Sequence, residues 1–148
     1  MKKSMDEKAI ESFNAGMNCA QSVVTSFSET LNFDKNLAET ISCGFGGGME
    51  RLGETCGAVT GSYMVLGIFN CRNHTDNTSR KEATYPMVQE FSNKFTHIHG
   101  TTVCRSLLKC DLNTEDGHRY AKENNLFDTV CKKCIQDSIQ IVNQLIEK

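Results

Sequence analysis

Apolar residues recur at helical spacing along most of the chain, and this limits the fold more than any other feature. Ala20, Val23, Val24, Phe27 and Leu31 fall at i, i+3, i+4, i+7 and i+11. Val88, Phe91, Phe95 and Ile98 repeat the stripe, as do Ile135, Ile139, Val142 and Ile146, and a shorter one (Met5, Ala9, Phe13) opens the chain. No segment alternates convincingly as a strand would. Only one proline, Pro86, interrupts 148 residues. It falls inside a segment from Thr78 to Ile98 and is expected to break or kink it. The pattern predicts an all-α, single-domain bundle of six to eight helices over residues 1–148.

Start signals divide the rest. Asn18, with Gln21 three residues on, opens a helix, and Asp34 opens a short one to about Ser42. Thr55 or Gly53 opens one running to about Asn70. Thr101 or Thr102, Thr114 and Asp128 open the last three. No internal repeat, low-complexity run or linker stands out.

Charge and hydropathy exclude several function classes. Net charge is -2, mean hydropathy is -0.39, and no Lys/Arg cluster forms a nucleic-acid footprint. The longest apolar stretch, Ala58 to Phe69, is too short for membrane insertion, which needs roughly 20 residues. The charged start, Met1 to Lys8, carries no secretory h-region, which predicts a cytoplasmic protein. In a reducing compartment, eight cysteines point to metal binding or redox chemistry rather than structural disulfides.

Helix starts sort those cysteines. Cys19, Cys56, Cys104 and Cys131 each fall in the first turn of an expected helix. There free amides and the positive dipole end favour a thiolate, which is both nucleophile and metal ligand. Cys43, Cys71 and Cys110 fall near expected helix ends. Cys134 lies one turn beyond Cys131 in a CxxC, Cys131-Lys132-Lys133-Cys134, and is the candidate resolving thiol. Ile135 follows Cys134, so the CxxCH of covalent haem is absent. No second CxxC completes a zinc knuckle.

The glycines cluster beside the cysteines. Gly44, Gly46, Gly47 and Gly48 are followed by Glu50 rather than the Lys of a phosphate loop. They read either as a plain turn or as backbone lying close to a charged centre and donating amides to it. Gly57 and Gly61, one turn apart, make a smooth face that suits either a helix contact beside Cys56 or room for a cofactor. His74, His97, His99 and His118 read as surface histidines. Neither a Ser/His/Asp arrangement nor paired carboxylates stand out.

These motifs together carry a resemblance. Gly16-Met17-Asn18-Cys19-Ala20-Gln21, the glycine loop, Gly53-Glu54-Thr55-Cys56-Gly57-Ala58-Val59-Thr60-Gly61, Cys104-Arg105-Ser106-Leu107-Leu108 and Cys131 before an amphipathic helix resemble one family. It is the redox-active family named for its C-GCAxxG-C-C pattern, related to the C-terminal part of split-Soret cytochromes c. The family orders its central motif GCAxxG, whereas this chain reads Cys56-Gly57-Ala58-Val59-Thr60-Gly61. The resemblance implies a helical fold, a redox or metal role, and a four-cysteine frame at Cys19, Cys56, Cys104 and Cys131.

The leading expectation is therefore a metal centre on these four cysteines, an iron–sulfur cluster, used for electron transfer or redox sensing with a partner protein. Gly46, Gly47, Gly48 and Gly57 would surround it. The alternatives are a cofactor-free thiol–disulfide oxidoreductase using Cys131/Cys134 or Cys56, and a zinc-stabilised interaction module. An exposed Met/Phe face is where a homodimer would form.

Overall fold

The computed structural model describes residues 2–147; Met1 and Lys148, the ends of the expected domain, lie outside the described residues. Among the described residues the chain is all-α, with no strand. Thr55 and Val103 make one isolated antiparallel bridge.

Helix α1 (Met5–Asn14) begins where the Ser4 side chain accepts from the Glu7 amide, with Asp6 and Glu7 against the positive dipole end. Helix α2 (Cys19–Ser26) carries the expected capping box. Asn18 accepts from the Gln21 amide, and the Gln21 side chain accepts from the Asn18 amide. Helix α3 (Lys35–Ile41) starts at Asp34, as expected. Helix α4 (Gly57–Asn73) is apolar around most of its circumference and runs through the core, packed on α2, α5 (Asn77–His99) and α8 (Lys132–Ile146). Short helices α6 (Cys104–Leu108) and α7 (Glu115–Glu123) complete the fold.

Four boundaries differ from expectation; the smallest difference is at α6, whose N-cap is Val103 and not Thr101 or Thr102. α5 is capped by Asp76 and not Thr78, and it continues through Pro86. Pro86 and Glu82, whose carbonyl loses its helical partner, are both exposed, so water can take over that bond. α4 starts at Gly57, after Thr55 has been drawn into the bridge to Val103. Asp128 does not cap the last helix. It lies inside a π-turn, Phe127–Cys131, whose coil is already running when α8 begins.

The core is hydrocarbon between α2, α4, α5 and α8. Phe27, Leu66, Phe91, Phe95, Ile135 and Ile139 are its largest fully buried side chains. Tyr63 meets Phe91 edge-on at 5.7 Å, and Phe91 stacks with Phe95 at 5.9 Å. The large exposed apolar side chains are Leu37, Ile41, Leu52, Tyr85, Ile98, Val103 and Tyr120, so no Met/Phe face is left open among the described residues. None of these helices is long and apolar enough to cross a membrane.

Candidate redox site

At one end of α4 the hydrocarbon gives way to sulfur. Cys19 is the first residue of α2, Cys56 the N-cap of α4, Cys104 the first residue of α6, and Cys131 the last residue of the π-turn before α8. All four line one cavity of about 420 Å³, and Cys134, one turn into α8, lines it too. These five thiols are 1–8% exposed. Exposed Cys43 is at the rim of the same cavity, while exposed Cys71 and half-buried Cys110 are not among its walls.

Small residues let these elements approach. A Cβ on Gly57 would lie 3.0 Å from the Ala20 amide and 3.2 Å from Cys19 Cβ; one on Gly61 would lie 2.9 Å from the Ala20 carbonyl. The glycine face of α4 is therefore a helix contact with α2, and that contact sets the Cys19–Cys56 approach. Gly48 does the same for Cys104: a Cβ there would meet Cys104 Cβ at 2.8 Å and the Glu54 amide at 2.6 Å.

The loop between them is unusual. Gly47, Gly48, Met49, Glu50 and Arg51 all have positive φ, between 46° and 69°, which makes a left-handed turn. Each of its three non-glycine residues costs about 1–2 kcal/mol in this conformation. Backbone bonds hold it. The Gly53 amide donates to Gly47 (3.2 Å) and the Glu54 amide to Gly48 (3.0 Å). The loop end is then stitched to the chain before α6. The Cys56 amide donates to the Thr102 carbonyl at 2.8 Å, and the Cys104 amide to the Glu54 carbonyl at 2.6 Å. Asn18, besides capping α2, donates to the Cys43 carbonyl at 2.9 Å and ties Cys19 to the same loop. Gly46 and Gly47 line the cavity, and Gly46 lies tight against Asn18. The glycines thus act through close backbone approach.

Protonation departs from the helix-start argument. The Cys19 thiol is pushed well above its ordinary value, first because it donates a hydrogen bond to Cys131, then by burial and by charge on Cys131, Cys56 and Cys104. Burial pushes Cys104 up to about 12, with Cys56, Cys131 and Cys110 adding. Cys131 has helical φ/ψ and no free helix start. Only Cys56 is lowered, chiefly because Cys134 donates to it. The Ala58 and Val59 amides lie close enough to help, although no side-chain cap bond closes. Cys134 is raised by the same bond and by burial. Burial and mutual repulsion outweigh a terminal dipole worth only about 0.3–1 kcal/mol.

The neighbour that most affects protonation is Cys131 for Cys19 and Cys134 for Cys56. The second was not legible from the CxxC, which suggested Cys131 with Cys134. Among the described residues no group of three or more His, Cys, Asp or Glu is arranged to hold a metal as it stands. The donor set, however, suits a soft metal: the buried ligating side chains among the cavity's lining residues are cysteines, and its one carboxylate, Glu50, is exposed. Cys19, Cys56, Cys104 and Cys131 are the thiols that would hold it.

The histidines sort differently from expectation. His118 lines the cavity, its ring 5.9 Å from Phe127. His99 is no surface histidine. It stacks on Phe95 at 4.4 Å, and its Nε2 lies 2.9 Å from a buried Asp137 carboxylate, which also pairs with Lys133 at 3.0 Å.

A helical domain that gathers sequence-distant cysteines into one cavity defines a cysteine-rich, redox-active class of protein. The chain belongs to the C_GCAxxG_C_C family, described as "putative redox-active protein", whose model matches residues 17–145. It is also similar to an uncharacterized protein of Archaeoglobus fulgidus, 27% identical over 107 residues, covering 68% of this chain and 71% of that one. No solved structure matches the chain.

Proposed function

We propose that Cys19, Cys56, Cys104 and Cys131 bind an iron–sulfur cluster and that the chain uses it for electron transfer or redox sensing with a partner protein. The supporting observation is convergence: four cysteines from four elements, spread over 113 residues from Cys19 to Cys131, bury their thiols in one cavity. Such convergence is costly to maintain among neutral thiols alone, because it requires a strained left-handed loop and close backbone approach at Gly48, Gly57 and Gly61.

When bound, the cluster would supply one-electron chemistry at a potential tuned by burial and by hydrogen bonds to its sulfurs. The protein supplies the thiols and a cavity in which they are buried. A thiolate ligand set must lose the protons that Cys19 and Cys104 hold above the ordinary thiol range, so loading releases protons and weakens as pH falls. Phe13, Leu108, Leu112, Phe127 and Val130 line the same cavity and limit water around the sulfurs.

Anaerobic purification of the full chain with iron and sulfide analysis and a visible spectrum tests the proposal. Charge-transfer absorption with stoichiometric iron and sulfide is the expected result, lost in Cys19→Ser. Stoichiometric zinc with no redox change would replace this reading with a zinc-stabilised interaction module. A colourless, metal-free chain with two redox-linked thiols would replace it with thiol–disulfide exchange.

A further inference from the structure

A metal centre ligated by the four frame cysteines would sit against their sulfurs, and the cavity extends beyond them. Its volume of about 420 Å³ is that of a small-molecule site. The walls change with depth. The five cysteines are buried, whereas Phe13, Met17, Leu107, Phe127 and Val130 line the same cavity half-buried and so stand nearer solvent. These five present apolar surface that a ligand would cover.

Few polar groups are free to recognise such a ligand. Asn18 is already engaged: its Oδ1 accepts from the Gln21 amide, and its Nδ2 donates to the Cys43 carbonyl. Arg51 and His118 also line the cavity, and neither makes an ion pair or a side-chain hydrogen bond among the described residues. Arg51 has φ 66°, backbone strain of the kind that collects at ligand sites. A guanidinium only donates, so a matching ligand carries acceptor atoms. Charge narrows the choice further. Four thiolates on a divalent metal leave a net negative centre, and Glu50 lines the cavity too, so an anion is repelled from both. The Arg51 guanidinium in turn disfavours a cation. The occupant that fits is uncharged, mainly apolar and bears carbonyl oxygen.

We propose that the outer part of this cavity binds a small uncharged quinone, its ring among the half-buried apolar side chains and a carbonyl oxygen accepting from Arg51. The choice of a quinone rests on the redox reading of the site, because small quinones exchange electrons reversibly. The binding site itself rests on the cavity and its walls.

Equilibrium dialysis of the full chain, purified anaerobically, against duroquinone tests it, with quinone and quinol assayed together. Methyl groups block every open ring position of this probe, which disfavours addition of thiols. The expected result is saturable binding of one molecule per chain. Bound quinone should slow alkylation of Cys43, exposed at the cavity rim, and leave that of Cys71, exposed but outside the cavity, unchanged. The two fall on different tryptic peptides, residues 36–51 and 52–72. Arg51→Gln should weaken binding about tenfold, the effect of one hydrogen bond from a charged donor. Arg51→Lys, which keeps a charged donor, should recover most of it. Absence of saturable binding, equal slowing at Cys43 and Cys71, or parent-like affinity in Arg51→Gln would each overturn the site. So would a covalent adduct in intact mass, or tighter binding of trimethylbenzoate, an anion of similar size. A metal-free chain that still binds with Cys43 protected would sink the metal proposal and leave the site standing. A metal-loaded chain that does not bind would do the reverse.

Discussion

The two ends of α4 are built by different rules. Toward α5 and α8 the walls are Phe91, Phe95, Ile135 and Ile139, fully buried hydrocarbon that packs because water excludes it. At the N-terminal end the walls are sulfur, glycine and a left-handed loop, held by backbone bonds between residues far apart in the chain. The first end supplies stability. The second spends some of it on placing five thiols. The contrast teaches that the rigid hydrocarbon half is the anchor against which the strained half is assembled.

Substitutions can pull these roles apart. Phe95→Ala, in the hydrocarbon half, should cost about 3–5 kcal/mol in denaturant unfolding, the largest effect. The fraction that remains folded should keep its thiol chemistry. Should metal content per folded molecule fall in step, the two halves are not separable. Gly48→Ala, in the sulfur half, adds a Cβ at φ 69° against Cys104 and the Glu54 amide. Left-handed strain and overpacking together predict a loss of about 2–4 kcal/mol. Here metal content or Cys104 reactivity should change even in molecules that stay folded.

Protonation offers a finer probe. Burial pushes the Cys104 thiol up to about 12 in the folded chain, against 9.0 for an unperturbed thiol. A raised folded value means that the native state holds its proton longer. The stabilisation is therefore fully present below pH 9.0 and is lost as pH rises toward 12. Metal-free chain should show a falling urea midpoint over that window, and Cys104→Ser should flatten part of the fall. An unchanged slope would mean that burial of Cys104 does not govern its titration. The smallest effect belongs to Cys71→Ser: exposed and outside the cavity, it should shift stability by less than about 0.5 kcal/mol and leave metal content unchanged.

Local signals carried much of the architecture. The helical stripes mark the buried faces of α2, α8 and, apart from exposed Ile98, α5, and the expected capping residues Asn18, Asp34 and Thr114 act where polar side chains must satisfy free amides. Pro86 misled because its effect depends on solvent access to the Glu82 carbonyl, which sequence does not encode. His99 misled for a related reason: its partner, Asp137, comes from a helix 38 residues away.

The chain's own order of residues determined that this protein is helical and that glycines accompany its cysteines, which are properties of spacing and local backbone chemistry; the grouping of Cys19, Cys56, Cys104 and Cys131 came with the family resemblance. Only the tertiary structure decided which sulfurs share a cavity, that Cys134 joins them, and that the Cys131 thiol with burial at Cys19, and burial at Cys104, override the helix dipole. Those outcomes depend on which neighbours exclude water and share protons, and such neighbours become defined only when distant segments pack.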